Sequence, residues 1–200
     1  MKRSSNMLEI KIKDKSVKKT VKKTKNRIFK GIFNWIILVF VAIVMGYAFV
    51  VFGFQTINVV GPSMNDTLKD GQVVVVNKLS YKFGSVQRYD IVAFSLVEND
   101  DYYDIKRVIG MPGETVTIDD GVLYIDGQPL GTSVVTDSIL TEGIAKKGVT
   151  LGDNEYFLLG DNVNNSEDSR YTNIGNVSSA EILGKVVYTW SPKESRGKVK

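Results

Sequence analysis

The chain contains neither histidine nor cysteine among its 200 residues, and this limits the chemistry that its side chains offer. Catalytic triads with an imidazole base, thiol nucleophiles, imidazole or thiolate metal sites and disulfides are all excluded. Acid–base catalysis would have to use Lys, Asp, Glu or Tyr. A hydroxyl nucleophile would therefore need an unusual base, and a lysine whose charged form is disfavoured by burial is one that proteins use.

Ser63 and Lys106 are the two residues that fit such a pair. A Gly-Pro dipeptide directly before Ser63 interrupts a strand-like run and predicts a turn, where the hydroxyl and the neighbouring backbone N–H groups are accessible. Lys106 lies in the strand-like segment 103–110, in which alternation sends the side chains of Lys106 and Arg107 to opposite faces. Each residue alone is also typical of an ordinary turn serine or an edge-strand lysine.

The elements that would position this pair follow an apolar segment. Residues 31–54 hold no charged side chain, and as a helix they would be about 36 Å long, enough to cross a hydrocarbon core of about 30 Å. Trp35 and Tyr47 fall where the two membrane interfaces would be. The segment and the basic region before it are both too long for a cleaved secretory signal, so we expect a transmembrane helix.

Charge is divided unevenly along the chain. Twelve of the 26 Lys and Arg residues lie in residues 1–30, where only Glu9 and Asp14 oppose them, so this segment carries +10 and the other 170 residues carry −6. The positive-inside rule predicts that residues 1–30 form a cytoplasmic tail facing anionic membrane lipid, with the rest of the chain beyond the helix outside the cell membrane. We therefore expect no nucleic-acid partner for the basic segment.

The pattern of residues 55–192 predicts one extracytoplasmic catalytic domain that is mainly β. Asp-Gly dipeptides at 120–121 and 126–127 predict tight hairpin turns. The segment 128–152 is rich in turn residues and is expected to form a small excursion or flap, and residues 193–200 a polar C-terminal tail. Short runs rich in β-branched residues predict strands at 72–77, 90–96, 114–119, 122–125, 155–159 and 185–190.

Four motifs occur in order behind the apolar segment, the first around Ser63 and the third beginning with Lys106. They lie at Gly61–Leu68, Asp90–Phe94, Lys106–Glu114 and Gly160–Arg170. In this order and at these spacings the sequence resembles the type I signal peptidases, the membrane-bound serine–lysine enzymes that remove signal peptides from exported proteins. The single short anchor is similar to that of the Gram-positive branch.

The resemblance implies a fold and a set of roles. The fold would be a signal-peptidase-type β exodomain of antiparallel sheets behind one transmembrane helix, and the reaction would need no metal or cofactor. Ser63 would be the nucleophile of an acyl-enzyme mechanism, Lys106 its general base, and Ser166 the residue that orients the Lys106 ammonium. Two ion pairs would brace the site: Asp161 with Arg107, and Asp168 with Arg170.

Substrate recognition is implied in the same way. The Ser63 N–H would stabilise the oxyanion, and at Gly61, where some relatives carry a hydroxyl, the second donor would be a backbone N–H or a water. A signal peptide with small residues at both positions of an A-x-A site would lie extended along strand edges near 57–62 and 103–106. The acidic stretch 98–104 is expected to stay solvated. Six apolar residues either floor shallow pockets or pack in the core: Ile57, Val59, Met64, Leu68, Ala93 and Ile105.

Two other functions are compatible with parts of this pattern. A regulatory or self-cleaving peptidase shares a Ser/Lys dyad, although it would need no membrane span and the chain offers no DNA-binding segment. A Ca²⁺ loop on an anchored β adhesin is a non-enzymatic alternative, although the spacing lacks the central glycine of an EF-hand. Its ligands would be Asp161, Asn162, Asn164, Asn165, Glu167 and Asp168.

Overall fold

A computed structural model describes residues 29–96, 102–131 and 137–199 of the chain. The chain divides into two units, Met1–Val50 and Val51–Lys200. The basic tail predicted at residues 1–30 lies outside the described residues, except for its last two.

Helix α1, Phe29–Gly53, covers the predicted apolar segment 31–54 except for its last residue. By length and composition it is able to cross a membrane. Its apolar side chains face all directions and nearly all are exposed, which is typical of a helix that lipid rather than protein surrounds. The helix ends one residue before the predicted boundary, because Phe54 already begins a strand.

The second unit is built from short strands. In chain order they are β1 (Phe54–Asn58), β2 (Val73–Asn77), β3 (Ile91–Phe94), β4 (Asp104–Gly110), β5 (Thr115–Asp119), β6 (Val122–Ile125), β7 (Gln128–Pro129), β8 (Val149–Thr150), β9 (Glu155–Leu159), β10 (Val177–Ser178), β11 (Ile182–Ser191) and β12 (Gly197–Lys198). A four-residue helix, α2 (Ser80–Phe83), and 3₁₀ turns at Gly143–Lys147, Val163–Asn165 and Lys193–Ser195 complete the described elements.

The strands form two antiparallel sheets. The larger has the order β1-β2-β11-β3-β4-β9-β10, with β12 paired to β11, and the smaller has the order β7-β6-β5-β8. Within each sheet, every pair of neighbouring strands is antiparallel. This confirms the predicted fold class, which is mainly β with antiparallel sheets behind one N-terminal apolar helix.

The hairpin turns predicted from the two Asp-Gly dipeptides are confirmed. Between β5 and β6, Asp120 and Gly121 have φ angles of 50° and 79°. Between β6 and β7, Asp126 and Gly127 have φ angles of 50° and 74°. Two consecutive positive φ angles define the turn whose twist matches that of the flanking strands, and Asp-Gly is one of the few pairs that adopt it at low cost.

The two sheets share a hydrophobic core. Gly110, at the end of β4, allows their close approach, because a Cβ built there would lie 2.6 to 2.8 Å from side-chain atoms of Val116, Leu151 and Phe157. The shared cluster contains Ile109, Val116, Ile118, Leu123, Ile139, Ala145, Leu151, Phe157, Leu159 and Val163. The larger sheet is therefore held in place from the side of β4 and β9, the two strands that lead into the site described below.

Residues 193–200 are expected to form a polar tail, but part of this segment forms a strand. β12 pairs with β11, with Lys198 opposite Tyr188 and Gly197 opposite Thr189. β3 pairs with β11 only as far as Lys185, so the edge of β11 beyond that residue is available to another strand. A two-residue strand of glycine and lysine has no sequence pattern that identifies it. In the segment 128–152, the described part contributes β7 and β8 to the smaller sheet.

Substitution of Phe157 by Ala tests the shared core. Phe157 is fully buried, so we expect the variant to lose about 3–5 kcal/mol in the free energy of unfolding. The matched control is Phe83→Ala on α2, where the side chain is 87% exposed and the loss should be below about 0.5 kcal/mol. Urea unfolding of the full chain in mild detergent measures both, and equal losses would contradict this description of the core.

Candidate active site

The turn that carries Ser63 is fixed on both sides of that residue. After β1, Gly61 takes a positive φ of 82°, a conformation that favours glycine, and its N–H donates to Asp70 Oδ1 over 2.9 Å. On the other side of Ser63, the side chains of Met64 and Leu68 are each 1% exposed and anchor the chain in the core. Ser63 itself is half-buried at the surface between these two attachments.

The segment that follows β9 closes over this turn. The N–H of Asn162 donates to Ser63 O and its Nδ2 donates to Pro62 O, both over 3.0 Å. Gly160 packs against the same place, because a Cβ built there would lie 2.5 Å from Ser63 O and 2.3 Å from Ser166 Oγ. The sequence suggested Asn162 only as a calcium ligand, since a contact between residues 100 positions apart leaves no local pattern.

Lys106 approaches Ser63 from β4. Its Nζ lies 3.3 Å from Ser63 Oγ, and the residue is 3% exposed. The same Nζ lies 3.3 Å from Asp104 Oδ1, because residues two apart on a strand project from the same face. Asp104, expected to be solvated with the rest of the acidic stretch, is thus paired with Lys106 while its side chain keeps 33% exposure. The alternation of side chains along β4 is the sequence signal that predicts the contact between Asp104 and Lys106.

Arg107 and Asp161 form a buried ion pair on the other face of β4. Arg107 Nε donates to Asp161 Oδ1 over 2.8 Å and Nη2 donates to Oδ2 over 2.7 Å. A third nitrogen, Nη1, donates to Tyr89 O, and Thr67 Oγ1 donates to Asp161 Oδ2. The pair therefore connects β4, the segment after β9 and the turn that follows Ser63.

Asp168 and Arg170 form a second buried pair, with 0% and 1% exposed side chains. Arg170 donates to both carboxylate oxygens, over 2.7 and 2.9 Å. Asp168 also accepts the Gly160 N–H over 3.2 Å, and Arg170 Nη2 donates to Ser166 O over 3.2 Å. This pair consequently fixes the backbone on both sides of the loop that carries Ser166.

Ser166 is buried beside Gly160, and no hydrogen bond joins it to Lys106, the residue that it is predicted to orient. Its Oγ has no hydrogen-bond partner among the described residues. The described side-chain partners of Lys106 Nζ are Ser63 and Asp104. The Ser166 hydroxyl is therefore a buried polar group that has both its donor and its acceptor available.

A cleft of about 480 Å³ opens beside Ser63 and Lys106. The charged residues that line it in the described part of the chain are Asp104, Lys106 and Glu167. Tyr102 lies in the same lining, and the negative charge of Asp104, followed by partial burial and by the charge of Glu167, raises the pKa of its phenol. The full lining is Val60, Gly61, Pro62, Ser63, Phe94, Ser95, Leu96, Tyr102, Asp104, Lys106, Asn165, Glu167, Asn173 and Ile174.

The six apolar residues considered for substrate pockets lie together in one core cluster. Their exposures are 8% for Ile57, 4% for Val59, 1% for Met64, 1% for Leu68, 0% for Ala93 and 5% for Ile105. None of them borders the cleft just described. They form a closed apolar layer under the strands that lead to Ser63.

The two backbone positions considered for an oxyanion hole differ in availability. The Ser63 N–H has no acceptor among the described residues. The Gly61 N–H, by contrast, donates to the Asp70 carboxylate.

The calcium alternative conflicts with the ion pairs, because the carboxylates of Asp161 and Asp168 each accept two guanidinium hydrogen bonds and present few free lone pairs to a cation.

Comparison with known proteins finds matches to one peptidase family. Residues 32–191 match the family described as "Signal peptidase, peptidase S26". A signal peptidase I of Bacillus caldolyticus is 35% identical over 76% of this chain and 88% of its own length, and a signal peptidase IB of Staphylococcus aureus is 34% identical over 82% and 91%. A crystal structure of a signal peptidase I from Enterococcus faecalis V583 aligns at 34% identity over 50% of this chain and 96% of that one, with a TM-score of 0.41.

The match to the family model and the two signal peptidase relatives define a peptidase of the serine endopeptidase class. The chain belongs to the signal peptidase family, peptidase S26. Membership supports signal-peptide cleavage as its activity.

Substitution of Gly160 by Ala tests the close contact between the segment that follows β9 and the turn that carries Ser63. The added methyl group would overlap Ser63 O and Ser166 Oγ, so the turn has to shift, and we expect the preprotein cleavage rate to fall by about 100-fold. The matched control is Gly131→Ala, where a Cβ would lie within 4 Å of none of the described residues and the rate should stay unchanged. A Gly160→Ala variant that cleaves as fast as this control would show that this contact does not position Ser63.

Proposed function

We propose that the chain is a membrane-anchored signal peptidase in which Ser63 is the nucleophile and Lys106 the general base. The observation that carries the proposal is the 3.3 Å contact between Ser63 Oγ and Lys106 Nζ. The chain has no histidine to replace this base, and Lys106 is buried at the edge of a cleft that is open to a peptide. The substrates are the signal peptides of exported preproteins, as the family suggests.

Acylation would use this contact directly. Neutral Lys106 Nζ takes the proton from Ser63 Oγ while the oxygen attacks the carbonyl carbon of the residue before the scissile bond. The Ser63 N–H stabilises the resulting oxyanion, with a water as the second donor because the Gly61 N–H is engaged by Asp70. The Lys106 ammonium then protonates the leaving amine, which releases the mature protein and leaves an ester on Ser63.

Deacylation would use the same amine. Neutral Lys106 takes a proton from a water that attacks the ester, and it returns the proton to Ser63 Oγ as the signal peptide leaves. The free Ser166 hydroxyl, buried next to Gly160, is available to orient the amine during these transfers. The pairs Arg107–Asp161 and Asp168–Arg170 act on geometry alone, because their charges neutralise each other away from the cleft.

The preprotein would bind as an extended strand along β4. On one side, Asp104–Arg107 pairs with β3, but on the other side pairing with β9 starts only at Arg107. The edge at residues 104–106 therefore presents backbone groups without a strand partner in the described part of the chain. The closed apolar layer that contains Ile105 leaves little room on that face, which favours the small residues of an A-x-A site.

Anchoring and topology complete the proposal. α1 crosses the membrane, residues 1–30 with their charge of +10 stay in the cytoplasm near anionic lipid, and the β unit acts outside the cell membrane. The proposed catalytic unit begins at about residue 55, directly after α1, so cleavage would occur on the outer side of the membrane, where signal peptides emerge.

Removal of either member of the dyad should abolish cleavage. Ser63→Ala removes the nucleophile and Lys106→Ala the base, so we expect each to lower the rate of preprotein cleavage by at least about 1,000-fold. The matched controls are Ser179→Ala and Lys82→Ala, which remove exposed side chains of the same two types and should cleave like the wild type. The measurement is gel-based cleavage of an Ala-x-Ala preprotein by the detergent-solubilised full chain. Cleavage by Lys106→Ala at the wild-type rate would contradict the assignment of the base.

The absence of cysteine makes the topology testable with single labels. Cysteine introduced at Asp153, exposed in the turn before β9, should react with a membrane-impermeant maleimide in intact cells. Cysteine introduced at Lys15 in the basic tail should react only after the cells are permeabilised. The opposite labelling pattern would overturn the proposed orientation while leaving the dyad untouched.

A further inference from the structure

The two faces of β4 differ in chemistry at the point where a peptide would pair with it. Ile105 projects into the core cluster and is 5% exposed. Asp104 and Lys106 project from the opposite face and line the cleft. The unpaired edge of this strand therefore offers an apolar face and a charged face at consecutive positions.

An extended peptide on this edge would present its side chains to the same two faces in alternation. If the two small residues of an A-x-A site lie on the Ile105 face, the residue between them lies on the face of Asp104 and Lys106. The middle residue is thus the one whose side chain enters the charged cleft. Nothing in the cleavage rule itself selects that residue, so any preference there has to come from the cleft.

The charge in this cleft is negative. Asp104 and Glu167 are its acidic residues, and Lys106 is the one cation that lines it within the described ranges. Both carboxylates act on one group, because each disfavours the ionised form of Tyr102 and so raises the pKa of that phenol. The described lining therefore holds two carboxylates against a single amine.

We propose that the cleft favours preproteins with lysine or arginine at the middle position of the A-x-A site, recognised by Asp104 and Glu167. This specificity rests on the proposed function of the same site. A basic side chain in the cleft would offset the excess negative charge of its lining. An acidic side chain at this position would meet like charges and be disfavoured. Asp104 and Glu167 are specificity residues here, distinct from the dyad that carries out the reaction.

The test compares three preproteins that differ only at the middle position, which carries Lys, Gln or Glu. With the full chain in detergent, we expect kcat/KM to decrease in that order, with Lys about fivefold or more above Glu at low salt. The ratio should shrink when the salt concentration rises from about 50 mM to about 500 mM, because salt screens partly exposed charges. The Gln preprotein serves as the reference for each enzyme.

Variants assign the preference to particular residues. The ratio of Lys to Glu substrates should fall toward one in the double variant Asp104→Asn with Glu167→Gln, and it should invert in Glu167→Lys. Each ratio is taken within one enzyme, so a general loss of activity from the contact of Asp104 with Lys106 does not affect it. The matched control is Asp153→Asn, an exposed acidic residue at the other end of β9, which should keep the wild-type ratio.

The outcomes separate this proposal from the function on which it rests. Equal cleavage of all three preproteins by the wild type, or a preference that persists in the double variant, would overturn the proposed specificity and leave the peptidase intact. Failure of the wild type to cleave even the Gln preprotein would overturn the function itself. A preference for Lys that disappears with the two carboxylates would establish the specificity.

Discussion

The geometry of the site depends on how the turn carrying Ser63 is held against the segment that follows β9. Asn162 bonds to the backbone of this turn twice, and Gly160 permits an approach that any larger residue would prevent. Without these contacts the backbone at Pro62 and Ser63 would depend on attachments at neighbouring positions, such as the Gly61–Asp70 hydrogen bond and the buried side chain of Met64. With them, Ser63 meets Lys106, a residue 43 positions away on a different strand, at 3.3 Å.

Two buried ion pairs maintain this arrangement, and their value is geometric rather than energetic. Removing charges from water costs several kcal/mol per ion, so buried Arg–Asp pairs contribute little net stability even when both guanidinium bonds are formed, whereas breaking one of them costs about 3–5 kcal/mol. Arg107 and Lys106 are neighbours on β4 and therefore project from opposite faces. One face of the strand holds the site together through Asp161, and the other face supplies the amine.

The sequence predicted the parts of the molecule that depend on local pattern. The apolar helix, the β-branched strands and the two Asp-Gly hairpins follow from composition, alternation and backbone preference, and they are present as predicted. β12 could not be predicted, because its two residues pair only where β11 has a free edge. The contacts of Asn162 and Gly160 with Ser63 join distant segments and leave no periodic signal. Asp104 is different: alternation along β4 places it beside Lys106, whereas the acidic residues before it in the sequence favour a solvated stretch.

Covalent labelling of Ser63 is the measurement that tests the central claim most directly. The full chain would be mixed with a peptide ester ending in an Ala-x-Ala segment, quenched in acid and digested, and the acylated residue located by mass spectrometry. The account predicts one acyl group per chain on Ser63, formed by the wild type and by Lys82→Ala but not by Lys106→Ala. An acyl group on another residue, or equally fast acylation of Ser63 without Lys106, would contradict it.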